Sequence, residues 1–180
     1  GLPGGLIRRV NATNPDSNAW ALLERSQIGY DEFGDLFEKE SAAHGHPVHG
    51  REILPLLAGT VRSEMVEALR RCQAAGYVTA CLTNNFVSAD QATEPRRHGA
   101  LMDHFDHVIE SSKVGVRKPD PRFYELACTI AGVEPRQVVF LDDLGINLKP
   151  ARTMGMVTIK VGDPDKAIAE LEAVVGFPLR

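Results

Sequence analysis

The sequence predicts an α/β fold, a doubly wound parallel sheet with a helical cap subdomain. Three observations predict it. Between residues 61 and 175 short apolar runs of strand length alternate with helical patterns, the rhythm of a parallel sheet wrapped by helices. Residues 1–57 carry helical patterns and no convincing strand. The apolar runs end in polar tips, as in Val138-Val139-Phe140-Leu141-Asp142-Asp143, and ligands of parallel sheets bind beyond the C-terminal ends of the strands. The expected division is a cap subdomain at 1–57 and an α/β core at 58–180.

The elements follow in order. Leu6-Ile7-Arg8-Arg9-Val10 reads as a short helix, and residues 11–18 as a turn-rich connection. A second helix spans 19–25, with Trp20 and Leu23 on one face. Phe33, Leu36 and Phe37 form an apolar stripe at i, i+3 and i+4 over residues 31–40, a pattern that marks a helix with one face in a core. Three histidines, His44, His46 and His49, fall within six residues. Gly and Pro interrupt them and no Cys is near, so a loop is expected there and not a zinc site. Residues 61–72 read as a helix whose inner face holds Met65, Val66, Leu69 and Cys72, closed by Gly76. A strand is expected at 77–82, a polar loop at 86–97, a helical turn at 101–105 and a short strand at 107–110. Residues 114–121 read as a loop. Asp120 then Pro121 mark the N-cap and first position of a helix to about residue 130, stopped by Gly132. The strand 138–141, a helix at 147–153, a strand at 156–161 and a helix at 164–175 complete the chain.

Composition narrows the function. The 180 residues, 43% hydrophobic and 24% charged, suit one compact domain or a core with a small appended unit. A net charge of -4 and the lack of a basic run interleaved with aromatics give no support for nucleic-acid binding or a membrane surface. No apolar run is long enough to span a bilayer and no secretory signal is evident. Cys72, Cys81 and Cys128 form no C-x-x-C pair, which suits reduced thiols and a cytoplasmic location.

The chemistry gathers at strand tips. Adjacent Asp142 and Asp143 follow an apolar strand and precede a helix. They suit Mg²⁺, a hard cation that takes oxygen ligands, or equally a helix cap. Thr83-Asn84-Asn85 sits at an earlier tip, where a hydroxyl and turn amides can hold phosphate oxygens. Lys118 lies in the loop between, able to neutralise phosphate charge. Together these groups describe a phosphoryl-transfer site that lacks a nucleophile.

Leu82-Thr83-Asn84-Asn85, Val114-Gly115-Val116-Arg117-Lys118-Pro119-Asp120-Pro121 and Val139-Phe140-Leu141-Asp142-Asp143 with Asn147 resemble three successive motifs of the haloacid dehalogenase-like hydrolases. The likeness is closest to the phosphatase domain at the N-terminus of soluble epoxide hydrolase and to the related domain of an acyl-CoA dehydrogenase family member, and it runs from about residue 61 to the end. The helical start is similar to that family's cap. The resemblance implies a Rossmann-like core and a Mg²⁺-dependent phosphatase that works through an aspartyl-phosphate. It assigns Thr83, Asn84 and Asn85 to the phosphate of a small phosphorylated substrate, and Lys118 to screening charge at that group. Asp143, with Asp142 beside it, is assigned to the metal, and Asn147 to support of that loop. Lys113 competes for the lysine role, but Lys118 precedes Pro as the family lysine does.

One departure stands out. The family places an acidic nucleophile on a strand before its cap, and residues 1–180 contain no such motif. Asp163-Pro164-Asp165 follows the last strand and suits a helix start. The expectations are therefore a fragment or truncated product of a larger enzyme, inactive by itself, or a non-catalytic phosphate-binding or regulatory module. The resemblance puts the absent strand in mid-sheet, which implies self-association through an incomplete sheet. Dehalogenation needs no Mg²⁺, so a metal-binding Asp pair argues against that variant.

Overall fold

The computed structural model describes residues 2–57, 59–85 and 99–180. The expected loop at 86–97 lies outside the described residues. In chain order the elements are α1 (Leu6–Ala12), α2 (Ala19–Glu24), α3 (Tyr30–Ala43), α4 (Gly50–Ile53), a 3₁₀ turn (Leu54–Leu57), α5 (Ser63–Ala74), β1 (Ala80–Thr83), α6 (Gly99–Met102), β2 (His107–Glu110) and α7 (Ser111–Val114). Then come α8 (Pro121–Ala131), a second 3₁₀ turn (Pro135–Gln137), β3 (Val139–Asp142), α9 (Gly145–Thr153), β4 (Val157–Lys160) and α10 (Pro164–Val175). The chain divides into two compact units.

The first unit holds residues up to 60, residues 84–85 and residues 110–117. Its core is the apolar stripe of α3 packed on α2. Trp20 stacks on Phe33 with ring centroids 4.8 Å apart, and Phe33 lies 5.6 Å from Phe37. Leu6, Val10, Leu23, Val48 and Ile53 close around them. The polar Asn18 is buried here because all its capacity is used. Its Oδ1 accepts from Ala21 N at 2.9 Å, capping α2, and its Nδ2 donates to the carbonyls of Asn11 and Thr13. His44, His46 and His49 lie in a loop: His44 Nε2 is 3.3 Å from Thr13 Oγ1, and His49 caps α4.

The second unit holds residues 61–83, 99–109 and 118–180 among those described. β3 and β4 pair in parallel, Val139 opposite Val157 through Asp142 opposite Lys160. Parallel strands need a crossover connection, and α9, packed on both strands, supplies it. Phe140, Tyr124, Cys128, Leu148, Ala151 and Met156 form the core beneath. Phe140 meets Tyr124 edge-on at 5.4 Å. A second cluster joins α5 to α10 through Ala68, Cys72, Ile168 and Leu179. Asp163 caps α10 with Pro164 next to it, the reading given to Asp163-Pro164-Asp165 above.

One expectation shifts. The strand expected at 77–82 begins at Ala80. Tyr77 and Val78 are about half exposed, and Thr79 is held from outside the sheet: its N and Oγ1 both donate to Asp106 Oδ2 at 2.8 Å. Those bonds hold the Asp106 carboxyl below the usual carboxylate range. Among the described residues the strands pair as β1 with β2 and β3 with β4.

Candidate functional site

The centre of the site is the turn out of β3. Asp142 is the last residue of the strand and its side chain is 5% exposed. An ionised carboxylate placed there must be surrounded by donors, and it is. Its Oδ1 accepts from Leu144 N at 2.8 Å and from Asn147 Nδ2 at 3.0 Å, and its Oδ2 accepts from Lys118 Nζ at 2.8 Å. Lys118 is itself only 12% exposed and lies 5.7 Å from the centre of the Phe140 ring. Asn147 is fixed from behind, because its carbonyl accepts from Tyr124 Oη at 2.7 Å. Burial, and then the charge of Asp142, push the Tyr124 phenol above its ordinary range, so it stays a neutral donor.

The neighbouring Asp143 differs. It is exposed, and no described residue bonds its carboxylate. Alternation along an extended chain sends adjacent side chains opposite ways. Here that separates the pair into one carboxylate turned into the protein and one turned out. The donor chemistry fits Mg²⁺ at Asp143, since that ion is commonly held by one or two carboxylates together with substrate phosphate. It does not favour Asp142, whose two oxygens already accept three protein donors. Among the described residues no cluster of three or more His, Cys, Asp or Glu side chains forms a metal cage.

Thr83 closes β1 and is half-buried. Asn84 and Asn85 belong to the first unit. Asn85 is fully engaged there. Its N donates to Ser111 Oγ at 3.0 Å, its Nδ2 to Glu110 Oε1 at 2.6 Å, and its Oδ1 accepts from Ser112 Oγ at 2.8 Å. Lys113 pairs with Glu110, also in that unit, whereas Lys118 pairs with Asp142. The structure thus joins Lys118, Asp142 and Asn147 by direct bonds, and gives Asn85 a set of protein partners instead of an open face.

Several residues here had no mark in the sequence. Ser111 is fully buried, with Oγ 2.6 Å from the Glu24 carbonyl and 3.1 Å from the Asn85 carbonyl. Glu24 and Arg117 pair at 2.8 Å with both side chains 19% exposed. Tyr124 reads in sequence as one more apolar residue of α8. The only available signal was that Arg117 directly precedes Lys118.

A family model described as haloacid dehalogenase-like hydrolase matches residues 9–155. The chain is 36% identical to Acyl-CoA dehydrogenase family member 10 of Mus musculus over 99% of its own length, and 44% identical to Bifunctional epoxide hydrolase 2 of Sus scrofa over 64%. It spans only 17% and 21% of those two proteins. It is 28% identical to the Sesquiterpene phosphatase astK of Aspergillus oryzae, covering 89% of this chain and 81% of that one. Among solved structures, a HAD family enzyme from Bacteroides thetaiotaomicron, in complex with magnesium and inorganic phosphate, superposes with a TM-score of 0.60 at 20% identity. That match covers 88% of this chain and 85% of the other.

Proposed function

This chain belongs to the haloacid dehalogenase-like hydrolases, and we propose that it supplies the lysine, metal and phosphate-binding groups of a Mg²⁺-dependent phosphatase. The observation that carries the reading is the Lys118–Asp142–Asn147 constellation at the end of β3, which leaves Asp143 open beside it. A lysine held at a strand tip by a buried carboxylate has its charge in a fixed place, where it lowers the energy of a phosphate oxygen as charge develops there. Thr83 offers its hydroxyl to the same group. Asn85 is assigned to holding that turn, because its donors and acceptor are already used.

Asp143 would hold Mg²⁺, which when bound supplies charge neutralisation at the phosphate. Asp142 and Asn147 keep the loop that carries Asp143 in one conformation. The attacking carboxylate that the family uses is not among residues 1–180. Residues 1–180 by themselves are therefore proposed to bind phosphate without turning it over. The magnesium and phosphate bound by the Bacteroides enzyme and the phosphatase activity in the name of the Aspergillus protein support this class of chemistry.

The test is hydrolysis of an aryl phosphate, with and without Mg²⁺, by this chain and by a version extended at its N-terminus with a family strand carrying the acidic motif. No turnover by the first and Mg²⁺-dependent turnover by the second are expected. Turnover by the 180 residues alone would sink the assignment of the nucleophile. An inert extended version that still binds phosphate would favour the second reading, a phosphate-binding module without catalysis.

A further inference from the structure

We propose that Tyr124 is a positioning residue for the loop that carries Asp143. Phe140 and Asp142 are two residues apart on β3, and side chains at that spacing share one face of a strand. Both are buried, and the Tyr124 ring of α8 meets Phe140 edge-on at 5.4 Å. The Tyr124 hydroxyl donates to the Asn147 carbonyl at 2.7 Å, and Asn147 Nδ2 donates in turn to Asp142 Oδ1 at 3.0 Å. Lys118 Nζ closes the circuit, 2.8 Å from Asp142 Oδ2 and 5.7 Å from the centre of the Phe140 ring. All five residues belong to the second unit.

Tyr124 is fully buried, and a phenylalanine there would fill nearly the same space. The core does not need the hydroxyl, which in apolar surroundings has to find an acceptor. The loop does need it. α9 starts at Gly145 with no side-chain cap, and Pro150 inside it has no N–H, so the Ile146 carbonyl four residues earlier lacks its helix bond. The Tyr124 hydroxyl fastens the very next carbonyl. Through Asn147 it also sets the Asp142 oxygen that accepts from Leu144 N at 2.8 Å. Asp143 lies between Asp142 and Leu144, so its exposed carboxylate is carried by backbone held on both sides. A ligand group held in place by packing and hydrogen bonds gives up less freedom when it binds. Tyr124 therefore acts through Asn147 and touches neither metal nor phosphate. The proposal rests on the phosphatase reading only for the use of Asp143.

The test follows amide hydrogen exchange at Leu144 by NMR in the full chain, with the buried Ile159 of β4 as the reference for opening of the whole unit. Tyr124→Phe, which removes only the hydroxyl, should raise the Leu144 rate several-fold relative to Ile159. It should also weaken Mg²⁺ binding several-fold, read by calorimetry. Phe140→Leu, which removes the ring on which Tyr124 rests, should move the Leu144 to Ile159 ratio in the same direction even if the first variant folds poorly. Met156→Ala is the packing control. Met156 is buried in the same core at the far end of the strand pair, and its truncation should lower the urea midpoint while leaving the ratio and the Mg²⁺ affinity alone. An unchanged ratio in the first two variants overturns the proposal, and so does an equal rise in Met156→Ala. Mg²⁺ affinity that holds in Tyr124→Phe while Leu144 exchanges faster overturns it as well. Absence of Mg²⁺ binding by the unmodified chain would count against metal at Asp143 alone, because the exchange comparison needs no metal.

Discussion

At the scale of single residues, two adjacent aspartates have different jobs. Asp142 sits among three donors and Asp143 faces outward. Lys118→Met should therefore cost about 3–5 kcal/mol in urea unfolding, because it leaves the Asp142 charge buried with a donor missing. Adding Asp142→Asn to it should return much of that loss, and a double variant no more stable than Lys118→Met would show that the charge is not the cause. Asp143→Asn should leave stability almost unchanged while weakening Mg²⁺ binding. Glu40 gives a second, opposite case. Burial raises its carboxyl above the ordinary range, outweighing the bond from Ala19 N at 2.8 Å, and its Oε2 is buried with no bond from a described residue. A carboxyl whose pKa is raised on folding favours the folded state in acid, and that contribution is lost as pH rises through the folded value. Glu40→Gln keeps an acceptor for Ala19 N and should flatten this part of the pH profile. The variant should melt higher than the parent at neutral pH, with the gap closing in acid. A constant gap across pH would place the effect elsewhere.

At the scale of elements, local signals were legible and contacts between distant segments were not. The N-caps at Asp120 and Asp163, the prolines after them and the stop at Gly132 lie within a few residues of the helices they define, so the sequence alone placed α8 and α10. The start of β1 at Ala80 depends on Asp106, far along the chain, and no local pattern reports it. The crossing of α3 and α4 is of the same kind. A side chain at Gly50 would put its Cβ 2.6 Å from the Phe33 ring and 3.1 Å from the Gly34 backbone. Phe33 is fully buried and stacked on Trp20, so it has nowhere to move. Gly50→Ala should cost about 1–3 kcal/mol through overpacking, despite the better helix propensity of Ala. A stabilised variant in urea unfolding would mean that α4 can shift away from α3 at little cost.

At the scale of the whole molecule, the alternation of strand and helix was enough to read the fold class, and the order of polar tips was enough to place Lys118 and Asp142 in one neighbourhood. The buried hub of Ser111 was out of reach, because a serine beside a strand end carries no mark of its tertiary partners. The sheet supplies the last consequence. Among the described residues the strands are bonded in the pairs β1–β2 and β3–β4, so each described pair has an outer strand edge on either side. A backbone group on a strand edge has to find water or another strand, and unprotected edges template pairing between chains. Val157 on β4 and Val108 on β2 are exposed in addition, at 43% and 36%, which adds apolar area to such a contact. Self-association that rises with protein concentration is therefore expected, measured as a shift in sedimentation coefficient over a dilution series. Val157→Lys, which places charge on an edge strand in the way natural sheets protect themselves, should reduce it. A single sedimenting species at all concentrations, unaltered by that substitution, would mean that the edges are covered in solution by some other part of the protein.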